Sequence, residues 1–216
     1  MKKLFQIFLI SILISSCAAG VNNQISAEQK SKIKNLGVYS GFDNVMHIFL
    51  AGAHQFDHTE KEIKMPSWWS LNRAAKETTS AKLKKVQVSA IKPKSSSLKD
   101  ILAKAKSDNL DSALIIQPKV DKNNPLLKSG YGMVRYSNEI QKGYVSFSVA
   151  LYDVKTGGLI KEISFDNDKS QSILFDLPLD FREYFNYHRD EVEKLMHSYE
   201  SEISLKIYNA LLEMGF

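Results

Sequence analysis

The hydrophobic and polar positions of this 216-residue chain fall into alternating short strand and helix signatures. From Leu36 to Phe42 the apolar residues read as a strand, Asp43-Asn44 as a turn, and Val45 to Leu50 as a second strand, so the pair predicts a hairpin. An irregular polar segment follows, holding His54, Asp57, His58, Pro66, Trp68 and Trp69. Leu71, Ala74, Ala75, Thr78 and Leu83 share one face at helical spacing. Lys85 to Ile91 alternates and predicts a strand. Leu98, Ile101, Leu102 and Ala105 then repeat at i, i+3, i+4 and i+7. Ser97 and Asp100 fit a capping box at the start of that helix, and Asn109 suits its stop. Ala113 to Ile116 is unbroken and apolar, as expected of a strand covered on both faces.

The second half carries more β signal. Pro118 to Asn124 reads as a loop and Gly132 to Tyr136 as a strand. Val145, Phe147, Val149 and Leu151 alternate with Ser146, Ser148 and Ala150, the clearest period of two in the chain. Thr156-Gly157-Gly158 turns that strand into a partner with Leu159, Ile163 and Phe165 in phase, giving a hairpin with one buried face. Asp180 and Glu183, after Pro178, can cap a helix start. A long amphipathic helix follows, with apolar residues at Val192, Leu195, Met196, Tyr199, Ile203, Ile207, Ala210, Leu211 and Met214, and Gly215 as its stop. Strand and helix alternate early and a hairpin comes late. That order predicts a single α/β domain over residues 35–216: a mixed sheet with packing helices, closed by the long terminal helix.

The first residues change the picture from fold to place. Lys2 and Lys3 precede an apolar run of about 11 residues, Leu4 to Ile14, which closes on Ser15-Ser16-Cys17. A spanning helix needs about 20, so this is a signal peptide over residues 1–16. Ile14-Ser15-Ser16-Cys17 resembles the lipobox of bacterial lipoproteins. The resemblance implies cleavage before Cys17, lipid (palmitate among the chains) attached to that cysteine, and, with Ala18 rather than aspartate next, passage to the outer membrane. Cys17 is the only cysteine, so no intramolecular disulfide can form. Two or more acyl chains give stable anchoring where one is marginal. Ala18 to Lys34 is small, polar and charged, without an apolar period, and reads as a lipidated flexible tether over 17–34. Fully extended, about 17 residues span on the order of 55–60 Å.

Charge excludes little but points away from nucleic acid. Removing the two leader lysines from a net charge of +5 leaves +3, weakly basic for about 200 residues. The basic positions Lys82, Lys84, Lys85, Lys92, Lys94, Lys99, Lys104 and Lys106 crowd the middle of the chain. They form either a solvated face or a surface for anionic lipid headgroups or another envelope polymer.

Three segments together resemble a family. Ile101 to Ile116 is a helix running into a buried strand, and Tyr144 to Glu162 is a hairpin. Leu151-Tyr152-Asp153-Val154-Lys155-Thr156-Gly157 matches an L-x-D-x-x-T-G run. These are similar to the TolB amino-terminal type of fold and to its group of periplasmic lipoproteins, including the curli secretion lipoprotein and the lipoprotein activators of penicillin-binding proteins. The group often has Gly-Ala-Asp before the buried strand, where this chain has Asn109-Leu110-Asp111. The resemblance implies a non-enzymatic envelope protein that binds or assembles with others.

Candidate chemistry is sparse. His54, Asp57 and His58 form H-x-x-D-H, with His47 nearby, the spacing of two zinc-ligating imidazoles on one helix turn. The shorter Asp in place of Glu, Gly52 just before, and the lack of an apolar face favour a polar loop. No G-x-S-x-G or Gly-rich phosphate loop occurs. Asp176, Asp180 and Glu183 suit caps better than a glycosidase pair. Adjacent Trp68 and Trp69 on one element cannot both face the same core, so either one is exposed or both pack under the insertion; they and the long terminal helix are the candidate contact surfaces. The expected protein is an outer-membrane, lipid-anchored lipoprotein facing the periplasm, binding an envelope protein partner without cofactor or catalysis. A subunit of an oligomeric secretion or pore complex is the alternative, and a metal-dependent hydrolase the remoter one.

Overall fold

A computed structural model describes residues 24–51, 58–66, 69–122, 127–136, 141–166, 173–175 and 189–216. Its elements in chain order are α1 (Ala27–Ser31), β1 (Asn35–Ser40), β2 (Val45–Ala51), β3 (His58–Lys64), α2 (Leu71–Lys82), β4 (Gln87–Ala90), α3 (Leu98–Ser107), β5 (Ser112–Pro118), β6 (Gly130–Tyr136), β7 (Gln141–Asp153), β8 (Leu159–Phe165), β9 (Ile173–Phe175) and α4 (Arg189–Glu213). The expected mixed α/β domain with a long terminal helix is what forms. Among the described residues nine strands build one sheet in the order β3-β2-β6-β7-β5-β1-β4, with β8 and β9 also pairing β7.

β7, 13 residues long, is the axis. Its second half pairs β5 on one flank and β8 on the other. Its first half pairs β6 and β9. β6 follows β5 along the same flank: a Cβ built at Gly130 would stand 3.4 Å from Pro118. β1 runs parallel to β5, and β2 parallel to β6. The sheet therefore has two lobes in line, β4-β1-β5-β7-β8 and β3-β2-β6-β7-β9.

This geometry corrects the expected hairpin of β1 with β2. The Gly41 amide still donates to the Ile116 carbonyl at 2.8 Å, so β1 holds to β5 to its last residue. The chain then passes on into the second lobe, where β2 lies between β3 and β6. Asp43-Asn44 is a break between two strands in line: the Asp43 carboxylate accepts the Val45 amide at 3.4 Å and Asn44 accepts from Met65. Residues 58–64, expected to be irregular, form β3. It is an edge strand whose described side chains, Thr59 to Lys64, are exposed and mostly charged, except for half-buried Ile63. Such an edge resists pairing with other chains and carries no buried face for a sequence pattern to show.

Helices cover both faces of the first lobe. α2 and α4 share the main core with Leu36, Val38, Leu114, Ile116, Phe147, Val149 and Leu151. α3 packs on the other face through Ile101 and Ala105, against Ala113 and Ile115. Alternate residues of β5 thus serve the two cores, which is why its run is unbroken and apolar. In α2 the buried positions are Leu71, Ala75 and Thr79, so the inner face is rotated slightly from the one expected. All nine apolar positions expected of α4 are buried. Gly215, at φ +89°, closes the helix as Phe216 donates to Leu211.

Three local expectations change. Ser97 does cap α3, accepting from the Asp100 amide at 3.2 Å, but the Asp100 carboxylate takes the Ser95 hydroxyl instead of completing the box. A complete capping box sits at α1, where Ser26 and Gln29 reciprocate. In the late hairpin a bulge between Leu151 and Tyr152 shifts register. Leu159 is turned out to solvent and Ile160 packs against the core in its place. The largest change concerns the tether. Ile25 and Ile33, on either side of α1, are buried in the main core. The Ile25 amide donates to the Met214 carbonyl at 3.1 Å. The folded domain begins at least as early as Gln24, not at Asn35.

Candidate interaction surface

β1, β4 and β5 begin at one end of the molecule and β7 ends there. α2, α3 and α4 all terminate at the same end, and α1 lies across it. This basal end carries a cleft of about 710 Å³ between α1, the end of α3 and the β7–β8 turn. Lys32, Lys106, Lys155, Asp111, Asp153 and Leu159 are among its walls.

The carboxylates here hold the backbone. Asp111 accepts the amides of Lys34 at 3.0 Å and Asn35 at 2.8 Å, while its own amide donates to the Asn35 carbonyl and its carbonyl accepts from Val154. One residue thus ties the start of β1 and the β7–β8 turn to β5. Asp153 accepts the Thr156 amide at 2.8 Å and the Gly157 amide meets its carbonyl at 2.8 Å. Gly157 takes φ +72°, so the D-x-x-T-G run does turn chemistry, as its residues suggest. Glu28 pairs with Lys32 at 2.7 Å, and that bond holds its carboxyl below the usual range. Asp108 pairs with Lys104.

The lysines of this end are less committed. Lys34, Lys84, Lys85, Lys106 and Lys155 are exposed and make no ion pair among the described residues. The fold divides the basic run of the sequence. Lys82, Lys84, Lys85, Lys104 and Lys106 come to the basal end, whereas Lys92, Lys94 and Lys99 lie beyond the carboxyl end of β4 and at the start of α3. Lys34 and Lys155, far away in sequence, join the first group.

A second surface feature runs along α4. Leu205, Tyr208 and Leu212 are 52%, 41% and 43% exposed and sit at i, i+3 and i+7. They form an apolar stripe on the outer side of a helix whose inner side fills the core. Lys82 from α2 places its ammonium 4.6 Å from the Tyr208 ring centre.

A smaller cleft, about 290 Å³, lies where the two lobes meet, lined by Tyr39, Asp43, His47, Ser96, Gln117 and Ser129. His47 Nδ1 is buried and 3.5 Å from the Glu62 carboxylate, beyond a well-directed hydrogen bond. Behind it Tyr131, Tyr144 and Tyr199 are buried, and burial pushes each phenol well above its ordinary value, so all three are neutral. The Tyr199 hydroxyl donates to the Gly132 carbonyl at 2.6 Å.

The structure does not gather the expected site residues. Trp69 is 1% exposed, packed edge-on against Tyr131 at 5.4 Å, and is a core residue rather than a contact surface. Trp68, Cys17, His54, Asp57, Asp176, Asp180 and Glu183 lie outside the described residues. His58 opens strand β3 opposite Ala51, so the H-x-x-D-H run does not end on a helix turn. No group of three metal-ligating residues occurs among the described residues, and no described helix is long and apolar enough to cross a membrane. Sequence reading missed Lys34 and Lys155, and named the long terminal helix as a contact surface without its outer stripe. The stripe had a signal, since Leu205, Tyr208 and Leu212 repeat at helical spacing outside the inner set.

No protein-family model and no curated protein sequence matches the chain. Among solved structures, the PelC dodecamer from Paraburkholderia phytofirmans is 14% identical over 85% of this chain and 88% of its own, with a TM-score of 0.41. A variant of that PelC dodecamer in another crystal form is 14% identical over 66% of this chain and 77% of its own, with a TM-score of 0.35. Protein XCC0632 from Xanthomonas campestris, of the DUF330 family, is 7% identical over 83% of this chain and 81% of its own, with a TM-score of 0.42.

Proposed function

We infer that this chain is a lipid-anchored lipoprotein of the outer membrane that acts by binding and assembly in the cell envelope, without catalysis. The observation that carries the reading is the amino-terminal pattern: two lysines, a short apolar run, and small residues closing on the lone Cys17. Two features of the fold support a binding role. The carboxylates of the basal cleft are engaged by backbone amides and lysines, which suits structure rather than acid–base chemistry. The outer stripe of α4 is the contact surface in place of Trp69, because an apolar row on an exposed helix face is what a groove or a second helix recognises.

The test is chemical crosslinking in intact cells followed by pull-down. Native protein is compared with Cys17→Ala and with Leu205→Glu/Leu212→Glu. A discrete envelope protein captured by the native chain and lost with both changes is the expected result. A ladder or ring of the chain itself, with no second protein, would replace the reading with a self-assembling secretion component. Capture undiminished in the leucine variant would remove α4 as the contact surface.

A further inference from the structure

We propose that the basal end of the domain is seated on an anionic phospholipid surface rather than swinging free of it. This rests on lipid attachment at Cys17, and it follows from where the described chain begins. Gln24 lies at the basal end, 3.2 Å from the position a Cβ would take on Gly215, at the end of α4. Ile25 is bonded to Met214, and the Lys30 ammonium donates to the Gly215 carbonyl at 2.9 Å. Only seven peptide steps separate Cys17 from Gln24. Fully extended they span at most about 25 Å, less than half the reach of the tether the sequence suggested. The anchor therefore holds one particular end of the molecule near the bilayer.

That end has the chemistry of a lipid-facing surface. Lys34, Lys84, Lys85, Lys106 and Lys155 are exposed without ion pairs among the described residues, while the Asp108, Asp111 and Asp153 carboxylates beside them are drawn into turns and pairs, leaving the exposed Glu213 at the end of α4 as an acid among them. Leu159 adds an exposed apolar side chain at the rim of the cleft. Lysine attraction to an anionic surface is short in range, fading over about 8 Å at physiological salt. A short covalent tether offsets this by keeping the end at high local concentration, so a weak attraction suffices.

The experiment uses the lipidated protein purified in detergent and returned to vesicles. Mass spectrometry of the amino-terminal peptide first reads the state of Cys17. A soluble amine-acylating reagent then reads lysine reactivity on vesicles of phosphatidylcholine alone and of phosphatidylcholine with phosphatidylglycerol. The expected result is protection of Lys34, Lys84, Lys85 and Lys155 by about fivefold or more on the anionic vesicles only. Lys61, Lys92 and Lys94, away from the basal end, keep their reactivity, and added salt removes the protection. In Lys34→Glu/Lys84→Glu/Lys85→Glu, whose side chains are all exposed, protection of Lys155 is lost as well. Equal reactivity on both vesicle types, in protein that does carry lipid at Cys17, overturns the seating and leaves the anchoring intact. An unmodified Cys17 overturns both. Protection found in cells but not on anionic vesicles would assign the surface to a protein and overturn the lipid.

Discussion

Replacing Ile25 or Ile33 with alanine separates a docked amino-terminal segment from a tether. Both side chains are about 5% exposed and lie in the main core. Burying an isoleucine is worth roughly 1.5–3 kcal/mol, and truncation to alanine usually costs about 2–5 kcal/mol with the cavity included. α1 is five residues long and stands only by packing. A variant that costs too much lets the segment detach before the domain unfolds, which caps the loss. About 2–3 kcal/mol for each single variant is therefore expected. For a domain of this size that lowers Tm by roughly 4–12 °C. The double variant should cost less than the two losses added, since both act through the docking of one segment. Thermal unfolding of the full-length protein in detergent, followed by circular dichroism, measures the shift. Amide exchange at Met214, Gly215 and Phe216 reads the docking directly, because Ile25 and Lys30 cover the end of α4. Unchanged melting together with unchanged exchange at those three amides would refute the reasoning and restore the free tether.

Two further outcomes test the interior. A Cβ at Gly132 would stand 2.1 Å from the His47 carbonyl oxygen and 2.6 Å from the Tyr144 hydroxyl, so Gly132→Ala should cost about 3 kcal/mol or fail to fold, measured by urea unfolding; a loss under about 0.5 kcal/mol would contradict the packing of β2 against β6. Burial raises the phenols of Tyr131, Tyr144 and Tyr199 above their ordinary value of 10.0. The unfolded chain then releases protons that the folded one retains, so stability is full below about pH 10 and falls as pH rises beyond it. Phenolate absorbance should show these three ionising only together with the loss of circular dichroism; smooth ionisation in the folded protein would contradict their burial.

What the sequence shows depends on whether a residue has a buried face. β5 and α4 are plain because their side chains fill a core on two faces and on one wide face, respectively. β3 is invisible because its face is solvent. The break at Asp43-Asn44 misleads for another reason. A turn and an interruption between two strands in line use the same residues, and only the partners of β2, one of them more than 80 residues away, decide between them. α1 is missed because its two anchors, Ile25 and Ile33, stand eight positions apart among polar residues. The short helix between them makes the pair one contact, and its cap, Ser26 with Gln29, was legible had the anchors been recognised.

The basal lysines divide by cause, and the division sharpens the lipid test. α2, α3 and α4 all end at the basal face, and a helix end carries about half a negative charge that favours cations. Lys82 and the pair Lys104 and Lys106 sit in the last turns of α2 and α3, where that alone accounts for them. α4 has no basic residue in its last turn, and Lys30 reaches from α1 to cap its Gly215 carbonyl instead. Lys34, Lys84, Lys85 and Lys155 stand on turns and connections, cap no helix end, and make no ion pair among the described residues. If the basic face served only the helix ends, Lys155 would show no vesicle protection, with or without charge reversal at Lys34, Lys84 and Lys85. If those lysines meet headgroups, the same reversal removes it while reversal at Lys104 lowers stability without abolishing it.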